Sequence, residues 1–192
     1  MNNIEPAIRV GRLKPNLKLI IGIPTVKRKV ESYLNKTVKS LLRSHENDET
    51  FGILIFVGET DEQYVNQVGA DIKARFDKYV ETGRIEIISP QKSYYPNFED
   101  TNSLNTLNDA PNRVLWRQKQ NLDYVFLWMN SLGRSEFYIQ LEDDVNSSEN
   151  YLHFIYQKIS TQTTSWFALE FCGLGFIGKL FRTESLKVNQ QS

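Results

Sequence analysis

Three carboxylates in a row, Glu142, Asp143 and Asp144, follow the apolar run FYIQL at residues 137–141. Adjacent like charges raise one another's pKa unless a positive group stands between them. A hard divalent cation relieves that repulsion. Mg2+ or Mn2+ held by one or two carboxylates usually shares its shell with a substrate diphosphate. The competing reading is a solvated turn whose acids cap nearby backbone. A triplet at the carboxyl end of a central strand lies where open α/β sheets bind ligands, so both readings stand. The same rule selects Pro24 and Thr25, the segment GETD at 58–61, and GLG at 173–175, each placed after an apolar run.

A second group lies on one predicted helix. Arg113, Arg117, Gln120, Asn121 and Tyr124 share a stripe at three- and four-residue spacing, with Trp116 and Lys119 beside it. Such a stripe is either a solvated face or a polar wall turned toward a phosphorylated or sugar-like ligand. The segment GLGFIGKL at 173–180 contains G-x-G-x-x-G and G-x-x-x-x-G-K. A phosphate-cradling P-loop needs Ser or Thr after the lysine, where this chain has Leu180. A dinucleotide fingerprint opens the first βαβ unit and has an acidic residue about 20 positions on, and too little chain follows Gly178. Both motifs are rejected; the glycines are read as permitting a close backbone turn.

Other reactive types offer less. Cys172 is the single cysteine, which excludes an internal disulfide and a multi-thiolate zinc site. His45 and His153 fall in helical patterns without a partner motif, and no Ser-His-Asp or Cys-His arrangement can be argued. Asn35-Lys36-Thr37 and Asn146-Ser147-Ser148 match the glycosylation acceptor pattern, a short and frequent match.

These residues must be positioned by an alternation of strands and helices. Apolar runs at 17–23, 51–57, 84–88, 137–141 and 166–171 read as strands, and helical spacing appears over 26–43, behind Thr60, from Pro111 to about Asn130, and over 149–159. Thr60 with Gln63 forms a capping-box signature. The alternation argues an α/β fold with a mostly parallel sheet and helices on both faces. Residues 1–16 read as an irregular lead-in, 17–186 as the domain and 187–192 as a polar tail. The polar stretch 91–111 has few apolar anchors beyond Tyr94, Tyr95 and Phe98, and is expected to be the most mobile interior segment. The C-terminal end is expected to leave Phe171, Phe176, Ile177, Leu180 and Phe181 uncovered.

Composition narrows the class. At 192 residues the chain predicts one domain, and 40% hydrophobic with 24% charged residues excludes a disordered or fibrous chain. Lys and Arg number 23, as do Asp and Glu, so the basic excess expected of a nucleic-acid binder is missing. No apolar run approaches the roughly 18 residues of a membrane span, and the first residues, MNNIE, do not resemble a signal peptide.

Six segments in order carry a resemblance: IGIPTVKR at 21–28, FVGETDEQYVNQV at 56–68, ISPQKSYYP at 88–96, RVLWRQKQNLDYVFL at 113–127, YIQLEDDV at 138–145 and LEFCGLGFIGKLF at 169–181. Together they resemble the alpha-1,3-mannosyl-glycoprotein 4-beta-N-acetylglucosaminyltransferase family, also called N-acetylglucosaminyltransferase IV. The resemblance implies a GT-A-like, Rossmann-type nucleotide-sugar domain. It implies metal-assisted, inverting transfer of N-acetylglucosamine from UDP-GlcNAc to a mannose of an N-glycan core in the Golgi lumen. Under it, Pro24, Thr25, Glu59, Arg113, Arg117, Glu142 and Asp143 surround the nucleotide sugar. Asp144, with Asp143, would hold a divalent metal, Mn2+ foremost. Members of the family begin with a membrane anchor and continue well past GFIGKLF into the part expected to bind the acceptor glycoprotein and supply the general base. That base is therefore expected beyond residue 192, with the C-terminal part of the domain missing here. The alternative is a non-catalytic or truncated member that acts as a binding module for other Golgi glycosyltransferases.

Overall fold

The computed structural model describes residues 4–98 and 109–186. Over these the chain runs β1 (Ile8–Val10), β2 (Leu17–Thr25), α1 (Leu34–Leu42), β3 (Phe51–Val57), α2 (Glu62–Glu81), β4 (Ile85–Ser89), α3 (Pro111–Ser131), β5 (Ser135–Gln140), α4 (Tyr151–Ser160), β6 (Ala168–Glu170) and β7 (Lys179–Arg182). The strands form one seven-stranded sheet in the order β1-β4-β3-β2-β5-β7-β6.

β3 and β4 are buried at every residue and β2 at nearly every residue, which is the signature of parallel strands covered on both faces. The pairs β2–β3, β2–β5 and β3–β4 are parallel, whereas β1, β7 and β6 add antiparallel edges. Alternation along the strands splits the core in two. On one face Leu19, Ile21, Ile53 and Ile55 meet Val38 and Leu41 of α1, Val65 and Ile72 of α2, and Leu152 and Ile155 of α4. On the other, Ile20, Leu54, Phe56 and Tyr138 meet Phe126 and Leu127 of α3. Helices thus cover both faces, as the alternation predicts. Thr25 lies opposite Val57 and Gly22 opposite Gln140, so the carboxyl ends of β2, β3 and β5 share one edge. Among the described residues no helix is long and apolar enough to cross a membrane.

Several expectations change. The lead-in contains β1, which pairs with β4 and is anchored by Arg9 on Glu86. Glu86 is fully buried, and it also accepts from Arg134 and from the Leu13 backbone N–H at 2.8 Å. The helix expected over 26–43 begins only at Leu34; residues 26–33 instead run exposed past the strand end, where Arg28 reaches Asp143. Asp61 rather than Thr60 caps α2, its carboxylate accepting from the N–H groups of Gln63 and Tyr64. Within the stretch 91–98, Tyr94 and Tyr95 are both anchored on α3. Tyr94 is buried, donates its hydroxyl to the Leu122 carbonyl at 2.7 Å, and sets its ring 4.8 Å from that of Phe126. The rest of that stretch to 108, and the tail 187–192, lie outside the described residues.

The C-terminal end is also covered. Gly175 and Gly178 adopt positive φ angles of 50° and 67°, which lets the chain turn back and lay β7 antiparallel on β5. Leu180 and Phe181 are consequently buried, and Phe171, Phe176 and Ile177 are half-buried. Phe176 stacks on Tyr124 at 5.3 Å. The element missed at this end is β7, hidden in the sequence by the glycines on either side of Phe176 and Ile177.

Candidate functional site

A cleft of about 410 Å3 opens beyond the carboxyl ends of the parallel strands. The segment after β2 contributes Pro24, Thr25, Lys27 and Arg28, the one after β3 contributes Glu59, and the one after β5 contributes Glu142 and Asp143. α3 closes the opposite side with Trp116, Lys119, Gln120, Asp123 and Tyr124. The Gly58 N–H donates to the Thr25 carbonyl at 2.8 Å and the Leu141 N–H to the Gly22 carbonyl at 2.9 Å. The strand ends are thereby stitched together just where they leave the sheet.

The acidic triplet is held from several sides. Asp143 is buried; one carboxylate oxygen accepts the Thr25 hydroxyl at 2.6 Å and the other accepts from the Arg28 guanidinium. Arg28 also donates to the half-exposed Asp144 at 3.3 Å. From α1, the buried Thr37 donates its hydroxyl to the carbonyls of Asp143, at 2.8 Å, and Val145, at 2.9 Å. The positive group that the triplet's repulsion calls for is therefore Arg28. Its hydrogen bond to Asp143, with the charges of Asp143 and Asp144, raises its already high pKa, opposed by partial burial. Burial first, then repulsion from Asp144 and Asp143, pushes the Glu142 carboxyl upward, and Arg28 pulls it back.

Asp143 and Asp144 present the oxygen donors that hard divalent cations take. Among the described residues no three His, Cys, Asp or Glu side chains gather as a ligand set. A cation here would rest on two protein carboxylates, complete its shell from phosphate and water, and take over the neutralising role of Arg28. On donor chemistry alone the pair fits such an ion.

Glu59 turns one carboxylate oxygen to the Lys27 backbone N–H at 2.9 Å, which ties the β3 end to the exposed strap after β2. Asp123, on α3, is buried and accepts from the Tyr95 hydroxyl at 2.6 Å and the Lys119 ammonium at 2.8 Å. Burial pushes its carboxyl up, opposed by Lys119.

The structure gathers Pro24, Thr25, Glu59, Glu142 and Asp143 around one cleft, with Asp144 on the far side of Asp143. It does not bring Arg113 and Arg117 there. Both lie toward the N-terminal end of α3 and pair with Asp109, outside the lining of the cleft. Three contributors were not singled out in the sequence, Lys27, Arg28 and Asp123, whereas Trp116, Lys119, Gln120 and Tyr124 of the helical stripe do line the cleft. A larger cavity of about 590 Å3 lies on the other side of the acidic turn. Its wall is mainly apolar, with Asp144 and Asn146 at the acidic turn. Of the two glycosylation patterns, the one at Asn146 is exposed, whereas the one at Asn35 lies in α1 with its Thr37 buried against Asp143.

The MGAT4 conserved region matches residues 1–189 of the chain. The chain is 44% identical over 188 residues to the Bos taurus alpha-1,3-mannosyl-glycoprotein 4-beta-N-acetylglucosaminyltransferase A, which covers 96% of this chain and 35% of that protein. It is 43% identical over 188 residues to the Mus musculus protein of the same name, with the same coverage. It is 39% identical over 191 residues to the Danio rerio enzyme B, covering 96% and 34%. The chain thus spans about a third of the length of these relatives. Among solved structures, S. aureus TarS in complex with UDP-GlcNAc aligns with 87% of this chain and 46% of its own, at 14% identity and a TM-score of 0.43.

Proposed function

This chain belongs to the family of the MGAT4 conserved region, and on that premise we propose that it is the nucleotide-sugar-binding part of a GT-A-type N-acetylglucosaminyltransferase. Its donor would be UDP-GlcNAc and its acceptor a mannose of an N-glycan core, with the Golgi lumen as its place of action. The observation that carries this reading is the cleft itself. Three parallel-strand ends and the α3 wall converge on one concave surface that holds both acids and cations, in the position where α/β sheets take nucleotides.

Within that cleft the residues of this chain bind and orient. The Pro24–Thr25 strand end and Glu59 would flank the nucleoside, with Trp116 offering an exposed ring on the facing wall. Asp143 and Asp144 would hold Mn2+, which when bound neutralises the leaving diphosphate. Thr25 and Thr37 keep Asp143 in place for that task through its side chain and backbone. Arg113 and Arg117 would reach a nucleotide only after leaving Asp109. Transfer would further need a general base to take the proton from the attacking hydroxyl.

The test is calorimetric titration of this chain with UDP-GlcNAc and with UDP-galactose, each with and without Mn2+, beside a transfer assay on an N-glycan acceptor. Mn2+-dependent binding of UDP-GlcNAc is expected. Binding without transfer would mark a binding module, and absence of any nucleotide binding would sink the reading.

A further inference from the structure

The wall of the cleft contributed by α3 contains a buried carboxylate with a specific construction around it. Asp123 is 3% exposed. Burying a carboxylate is costly unless donors satisfy it, and two do: the Tyr95 hydroxyl at 2.6 Å and the Lys119 ammonium at 2.8 Å. Tyr95 arrives from the segment after β4, and its ring also lies 5.0 Å from the Lys119 ammonium. The third side is the end of β3. A Cβ on Gly58 would stand 2.8 Å from an Asp123 oxygen and 2.9 Å from the Lys119 nitrogen, so a side chain there would push this pair out of its place.

α3 and the segment after β4 therefore hold one ammonium between them, beside the end of β3. An ordinary i,i+4 pair on a helix surface needs none of this and contributes only about 0.3–0.5 kcal/mol. Of the other cations lining the cleft, Arg28 is engaged by Asp143 and Asp144. Lys27 is largely exposed and stands 3.9 Å from Asp61. Lys119, unlike Arg28, is held by a single buried acid, and an ammonium has three donors, so fixing one leaves others for the cleft.

We propose that Lys119 is the phosphate-binding cation of this cleft and Asp123 its positioning residue, an inference that rests on the nucleotide-sugar reading. The Tyr95–Asp123–Lys119 chain would then set affinity for the diphosphate and leave affinity for the nucleoside nearly untouched. Asp123 does not touch the ligand; it aims the group that does.

The experiment compares UDP and uridine binding, each with Mn2+ present, to the unaltered chain and to Lys119→Met, Asp123→Asn, Tyr95→Phe and the Lys119→Met/Asp123→Asn double variant. Lys119→Met is expected to weaken UDP binding about tenfold or more, the scale of a lost charge-assisted hydrogen bond, with uridine affinity changed less than about twofold. Asp123→Asn and Tyr95→Phe should lower the UDP-to-uridine ratio in the same direction but by less, and the double variant should match Lys119→Met alone. A purely structural role would lower both affinities together and leave that ratio unchanged. Equal losses for UDP and uridine in Lys119→Met, or additive effects in the double variant, overturn the assignment. If Asp123→Asn proves too unstable to titrate, Tyr95→Phe and Lys119→Arg decide. The first should lower the ratio, the second should largely keep it, and a ratio unmoved by Tyr95→Phe and Lys119→Met overturns the assignment. Should the unaltered chain bind neither ligand, the nucleotide-sugar reading falls, and this inference with it.

Discussion

Arg28 and Asp143 form an ion pair between the strap that leaves β2 and the acidic turn that leaves β5. Thr25 occupies the other oxygen of the same carboxylate. The pair closes the neck between two strands adjacent in the sheet and far apart in the chain. It also places a fixed positive charge where the proposed cation would go.

The first prediction follows from that placement. Arg28→Gln should bind Mn2+ severalfold more tightly than the unaltered chain when no nucleotide is present, because a competing charge has been removed. Electron paramagnetic titration of free Mn2+ reads this directly. Equal or weaker Mn2+ binding in the variant would show that arginine and metal do not share the acidic pair.

Asp143 and Asp144 should separate cleanly on substitution. Asp144 is half-exposed, so Asp144→Ala should abolish Mn2+-dependent UDP binding at nearly unchanged stability. Asp143 is buried and satisfies Thr25 and Arg28. Its replacement by alanine should cost about 1–3 kcal/mol as well, the penalty for stranding a buried partner. Urea unfolding beside UDP titration measures both quantities, and equal stability of the two variants would contradict the difference in burial.

Glu86 provides a test away from the cleft. It gathers Arg9, Arg134 and the Leu13 N–H at a fully buried position of β4. Glu86→Ala should destabilise the chain by about 3 kcal/mol, as for other broken buried ion pairs. Amide exchange should show the largest loss of protection in β1. A variant within about 0.5 kcal/mol of the original would mean that the two arginines find solvent at no loss.

What the sequence revealed and what it hid follow physical lines. The central strands were legible because two covered faces demand unbroken apolar runs, and their ends located Pro24, Thr25, Glu59 and Asp143 by a general rule of α/β sheets. Arg28 was hidden because Val30 and Tyr33 continue a helical spacing that the chain does not adopt, and Val30 is in fact almost fully exposed. Asp123 read as one more polar residue on a helix. Its burial depends on Tyr95 from another segment and on the missing side chain of Gly58, contacts that no local pattern carries. β1 and β7 were missed for a related reason. Each is short, each lies at or next to a sheet edge, and each is fixed by its partner strand more than by its own composition.

The last prediction concerns pH. Burial raises the Asp123 carboxyl above the ordinary range, and Glu59 adds to the rise, while the Lys119 ammonium and the Tyr95 hydroxyl oppose it. The folded chain therefore binds this proton more tightly than the unfolded chain does. For a group of that kind, stability is fully present below the unfolded value of about 4 and is lost as pH rises through the raised folded value. Asparagine at this position has no proton to gain or lose. The unfolding free energy of the unaltered chain minus that of Asp123→Asn should therefore fall with increasing pH across that window, by at most about 1.4 kcal/mol per pH unit. Urea unfolding of both proteins at matched ionic strength from about pH 4 to about pH 7 gives the slope, since other titrating groups cancel to first order in the difference. A difference that rises with pH would mean that Lys119 outweighs burial and holds the carboxylate ionised. Asp123 would then be a conventional ion-pair partner whose charge is favoured by folding.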